Sequence, residues 1–247
     1  MPAHQKIGRA ASLSMFKKIA ELYKYKFSIL LILFLAGALA FNFLTRNPAA
    51  NTSEEEYVNE TLNKLGWPAQ AGGSSVFKPV SGQTYLPVRN FYKNQSLNLF
   101  GTYNTGKFTG FHTGVDIEVS SDDLYAEVPV YSFYDGVVRK VEWASGYGGV
   151  VIIEHNLGQI DLMGIYGHLR LKGVAIKEGE RVTSGAVIGY LGNGYTNETD
   201  GERKHLHFGL YKGSVADIRG YVTDKKDLDA WLDPTRFMRG VSAKEVY

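Results

Sequence analysis

Apolar and polar positions change rhythm along the 247-residue chain. Residues 27–44 form an unbroken apolar run without charge, in which Ser28 and Asn42 are polar. As a helix this run would be about 27 Å long, close to the thickness of a bilayer core. Lys17, Lys18, Lys24 and Lys26 precede it; Arg46 and then Glu54, Glu55 and Glu56 follow. The positive-inside rule puts such an N-terminus in the cytoplasm and residues 46–247 outside it, periplasmic or extracellular. The pattern therefore predicts a cytoplasmic tail (1–26), a transmembrane signal anchor (27–45) and a linker (46–78). A cleaved signal peptide is the alternative, with Ala38-Leu39-Ala40 as its cleavage site. Within the linker, Ser53 and Glu56 fit a capping box ahead of a short helix carrying Tyr57, Val58, Leu62 and Leu65.

Beyond residue 77 the rhythm becomes short apolar runs bounded by glycine. Residues 128–141 read as strand, Asp135-Gly136 turn, strand. Gly146-Tyr147-Gly148-Gly149 reads as the turn before a strand at 150–154, with another at 160–169. Residues 182–191 read as a pair around Ser184-Gly185, and 225–238 as a short helix punctuated by Asp233-Pro234. Strands at this spacing predict a mainly β domain over residues 79–240, an antiparallel sandwich or barrel-like fold.

Charge and composition narrow the chemistry. Residues 1–46 hold seven Lys/Arg and one acid, so the rest carries 20 basic against 24 acidic residues, about −4. A basic patch on the folded domain is what nucleic-acid binding would need, and that reading is set aside. No cysteine is present, so any metal must be held by His, Asp or Glu.

His205-Leu206-His207 offers such donors. On a strand, side chains alternate faces, so both imidazoles point one way, about 7 Å apart. His112 and Asp116 stand four residues apart, about 13 Å on an extended strand and too far to share an ion. A bend at Gly114 would bring them together. His168 follows Tyr166-Gly167. Metal binding or proton transfer is the usual reason for imidazoles so placed. His155 reads as structural or surface, His4 as solvated. Gly106-Lys107 lacks the glycine spacing of a phosphate-binding loop.

His112-Thr113-Gly114-Val115-Asp116, Tyr166-Gly167-His168-Leu169 and His205-Leu206-His207-Phe208, in that order, resemble the lysostaphin-like (LytM-type) zinc metallopeptidases. Gly179-Glu180-Arg181-Val182 through Gly192-Asn193 is similar to that family's glycine-rich hairpin. The resemblance spans roughly residues 79–238 and implies His112, Asp116 and His207 as zinc ligands and His168 and His205 as a catalytic pair. It also implies peptide bonds of peptidoglycan stems or cross-bridges as substrate. One departure stands out: where the family has a small-residue turn ending in Gly-Pro, residues 195–204 form a longer, charged loop.

The expected protein is thus a membrane-anchored zinc endopeptidase with peptidoglycan as partner and zinc as cofactor. A catalytically silent wall-binding scaffold or activator, and a peptidase for a protein substrate, are the alternatives. An occluding role for residues 66–110 is a further expectation.

Overall fold

The computed structural model describes residues 56–57, 60, 83–96, 98–157, 161–241 and 243–245. The expected tail, the membrane anchor at 27–45 and most of the linker lie outside the described residues. Among the described residues, no helix is long and apolar enough to cross a membrane. Of the helix expected after Ser53, Glu56, Tyr57 and Glu60 are described, and they are helical.

The fold is mainly antiparallel β. In chain order the strands are β1 (Tyr103–Thr105), β2 (Thr109–His112), β3 (Gly114–Glu118), β4 (Pro129–Tyr131), β5 (Gly136–Ala144) and β6 (Gly148–Asn156). They continue as β7 (Asp161–Leu169), β8 (Arg181–Val182), β9 (Val187–Tyr190), β10 (His205–Lys212), β11 (Tyr221–Val222) and β12 (Trp231–Leu232). A seven-stranded sheet runs β12-β10-β7-β6-β5-β8, and β3 also pairs with β10. Strands β3 and β12 share one flank of β10: β3 takes His205 to Gly209, β12 takes Leu210 and Tyr211. Two smaller sheets, β1-β2-β11 and β4-β9, complete the described strands.

Both faces of the central strands are covered, which explains why Val150, Val151, Ile152 and Ile153 run on without a polar alternate. Val151, Ile153 and Tyr166 enter the main core with Val115, Ile117, Leu206, Phe208 and Leu210. Val150, Ile152, Met163 and Ile165 pack on the opposite face with Tyr147 and Trp231. Phe208 is fully buried, and burial of such a side chain contributes about 2–3 kcal/mol. The helix α1 (Pro234–Gly240) closes one side of the main core through Phe237 and Met238. Asp233 caps it by accepting from the Thr235 and Arg236 amides, and proline opens its first turn. Tyr57 meets this cap: its hydroxyl accepts from Asp233 N at 2.9 Å, and the Arg236 guanidinium lies over its ring at 4.0 Å.

Two expected hairpins do not form. Strand β4 pairs with β9, not with β5, and β8 pairs with β5, not with β9. Asp135-Gly136 is a crossing between two sheets, not a tight turn. The Asp135 carboxylate accepts from Ser184 N at 2.7 Å, and its carbonyl lies 3.2 Å from His155 Nδ1. The hairpin expected around Gly146 to Gly149 is present as β5–β6. Residues 83–96 are part of the domain core: Leu86, Val88 and Phe91 are buried in it. The part of the 66–110 segment below residue 83 lies outside the described residues.

Candidate metal centre

Strands β3 and β10 set Asp116 directly opposite His207. On β10, Leu206, Phe208 and Leu210 face the main core, so His205 and His207 take the other face, as period-2 alternation requires. Asp116 shares that face because its neighbours Val115 and Ile117 are core residues. His112 ends β2, and the chain bends at Thr113 before β3. The bend comes with close approach of backbones: a Cβ at Gly114 would lie 2.6 Å from the Phe208 carbonyl and 2.8 Å from the His207 ring.

His112 Nε2 lies 3.0 Å from His207 Nδ1 and 3.3 Å from Asp116 Oδ1, and His207 Nδ1 lies 3.2 Å from the same oxygen. Ligand bonds of about 2.0–2.1 Å around a tetrahedral ion put neighbouring donors about 3.3 Å apart. The three atoms therefore span one face of such a tetrahedron. All three residues are buried. The Tyr147 hydroxyl, 3.3 Å from His207 Nε2, takes the other ring nitrogen. When Nε2–H donates to that hydroxyl, the Nδ1 lone pair faces the site.

Protonation suits the donors. Burial alone would raise the Asp116 carboxyl, but His205, His112 and His207 outweigh it and hold the group well below the usual carboxylate range. Burial lowers the His207 imidazole to about 4, against the pull of Asp116. A neutral imidazole and an ionised carboxylate are the metal-binding forms.

His168 reaches the same face by an irregularity. Gly149 pairs with Leu169 and Val150 with Gly167, so His168 is the unopposed residue of a β-bulge, with φ +65°. Tyr166, two residues earlier, faces the core, and regular alternation would send His168 after it. The bulge turns it out instead, with its ring centroid 4.2 Å from that of His205 and the two planes tilted by 41°. Burial, with His205 and His207 beside it, pulls the His168 imidazole well below its ordinary value. His205 Nδ1 donates to the Arg203 carbonyl at 2.8 Å, leaving Nε2 turned to the site, 3.5 Å from Asp116 Oδ2.

The five expected residues thus come together. All but His112 line a cleft of about 470 Å³, whose walls include Phe108, Tyr147, Glu202, Arg203, Arg219 and Tyr221. The charged loop before β10 forms one wall, through Glu202 and Arg203. His155 is apart from the site, buried against Tyr166.

Sequence reasoning passed over three partners of the cluster. Tyr147 read only as part of a glycine turn; its ring lies where a Cβ at Gly167 would stand, 2.3 Å from Cδ1. Asn98 donates to Asp116 Oδ2 at 2.8 Å and to the Tyr221 hydroxyl at 2.9 Å. Arg203 donates to Asp116 Oδ2 at 3.1 Å. The charge of the loop was its visible signal.

Residues 110–218 match the model of Peptidase family M23. This stretch of the chain is similar to the M23 peptidases. It contains all five site residues and bears out the LytM-type resemblance of the motifs. No curated protein matches the chain. Among solved structures, the catalytic domain of the antimicrobial peptidase lysostaphin from Staphylococcus simulans is 24% identical, covering 57% of this chain and 89% of that one, with a TM-score of 0.43. LytU is 22% identical over 68% of this chain and 91% of its own, with a TM-score of 0.43. A lytM-type protein from Ruminococcus gnavus, described as a glycyl-glycine endopeptidase, is 23% identical over 54% and 49%, with a TM-score of 0.39.

Proposed function

We propose that the M23 domain is a zinc metalloendopeptidase that hydrolyses peptide bonds in peptidoglycan stems or cross-bridges. The observation that carries this reading is the triangle of His112 Nε2, Asp116 Oδ1 and His207 Nδ1, with 3.0–3.3 Å edges. These atoms would hold the ion. When bound, zinc supplies an acidified water and polarises the scissile carbonyl.

The chain's own residues supply the rest. Tyr147 accepts from His207 Nε2–H in the tautomer whose Nδ1 would hold the ion. His205, with Nδ1–H committed to the Arg203 carbonyl, has Nε2 to take the proton of the attacking water. His168, held neutral by burial and lying against His205, stabilises the developing oxyanion or delivers a proton to the leaving amine. The walls at Phe108 and Tyr221 bound the substrate strand, while Arg203 and Glu202 close the His205 side. The apolar run at 27–44 and its flanking lysines support a membrane anchor, with the domain on the outer side facing the wall.

Two variants separate binding from turnover. The purified chain is expected to carry about one zinc, the complement of a single site. His207→Ala should lose it. His205→Ala should retain it while hydrolysis of peptidoglycan falls about 10²- to 10⁴-fold, the loss typical of a missing general base. Metal analysis beside turbidity loss of purified walls reads both. Undiminished hydrolysis by metal-free His207→Ala protein would overturn the mechanism.

A further inference from the structure

The two oxygens of Asp116 have different surroundings. Oδ1 faces His112 and His207 at 3.3 and 3.2 Å. Oδ2 accepts from Asn98 Nδ2 at 2.8 Å and from Arg203 Nη2 at 3.1 Å. Arg203 also holds Glu118: Nε donates to Oε1 at 2.8 Å, and Nη2 lies 2.6 Å from the same oxygen. Asp116 and Glu118 are two residues apart on β3 and share a face, so one planar guanidinium reaches both carboxylates. In the register of β10, Glu118 stands opposite His205, which places Arg203 just beyond the end of the ladder.

A guanidinium this near a divalent cation would repel it. Glu118 balances that charge and leaves the hydrogen bond to Asp116 as the net effect. Arg203 belongs to the charged loop, residues 195–204, that leads into β10. A carboxylate with a free second oxygen can rotate or chelate through both atoms; one whose second oxygen is occupied presents the first alone.

We propose that Arg203, charge-balanced by Glu118, is a positioning residue that pins Asp116 to offer a single oxygen to the metal and thereby sets the metal affinity. The proposal rests on the zinc-site reading above. Lysine is a poor replacement, because a single ammonium lacks the fork that spans two carboxylates.

The test is a zinc titration of the whole chain in competition with a chromophoric chelator, with thermal unfolding of each metal-free variant alongside. Arg203→Ala is expected to weaken zinc binding about 10- to 100-fold, the usual loss for an outer partner of a ligand. Arg203→Lys should recover part of it, and Glu118→Gln should weaken binding too, because the cationic charge is then unbalanced. Arg203→Gln, which keeps an amide donor, replaces the alanine variant if that one does not fold. Wild-type affinity in folded Arg203→Ala overturns the proposal, as does unchanged or tighter binding by Glu118→Gln. A wild-type chain that binds no zinc would instead overturn the reading on which it rests.

Discussion

His155 and His207 are both buried histidines with opposite assignments. His155 is not in the His112–Asp116–His207 cluster, and both its ring nitrogens have partners: Nδ1 lies 3.2 Å from the Asp135 carbonyl and Nε2 3.1 Å from the Tyr166 hydroxyl. That hydroxyl also accepts from Phe133 N at 3.1 Å, so the imidazole is one link in a polar chain through the core. Burial lowers His155 to about 3 from an ordinary 6.5. Above pH 6.5 the group is neutral in both folded and unfolded chains. As pH falls from 6.5 towards 3, the unfolded chain binds a proton the folded chain refuses, so stability is lost. His207, lowered to about 4, acts with the same sign in metal-free protein. The urea midpoint of metal-free chain should therefore drop steadily between pH 6.5 and 4. His155→Gln should flatten that slope while costing about 1–3 kcal/mol at neutral pH through the disturbed hydrogen bonds. A slope unchanged by the substitution would contradict the assignment. At this scale the donors were legible, because residue type and spacing name them. Asn98, Arg203 and Tyr147 were not, because their roles depend on which distant strands meet.

At the scale of elements, local patterns succeeded where one segment closes on its neighbour. The β5–β6 hairpin follows from a glycine turn between two apolar runs. Asp135-Gly136 and Ser184-Gly185 look equally like turns, yet each joins strands of different sheets. Their partners lie far along the chain, and a turn signal carries no information about them. The bulge in β7 was equally hidden, although it decides where His168 points. A side chain at φ +65° is strained, and glycine relieves that strain. His168→Gly should therefore be more stable than His168→Ala by about 1 kcal/mol, the left-handed penalty for a residue with a Cβ. Both variants should be inactive. Urea denaturation of the two reads the difference; equal stabilities would mean that the bulge relaxes when the imidazole is gone.

At the scale of the whole molecule, the β-rich domain and its M23 resemblance could be read from ordered motifs, while its partition into three sheets could not. The proposed anchor at 27–45 rests on hydropathy and flanking charge alone. Tyr57, within the expected linker, is bonded to the cap of α1. Substrate and bond choice belong to this scale, since the cleft walls come from widely separated segments: Phe108, Tyr147, Arg203 and Tyr221. A wall-binding scaffold would share the metal and the cleft but release no product. The direct test is mass-spectrometric product analysis after the zinc-loaded chain digests defined peptidoglycan types. The expected result is new peptide termini at one bond of the stem or cross-bridge, abolished by chelation and restored by zinc. Zinc-loaded protein that leaves every peptidoglycan type uncut would contradict the account.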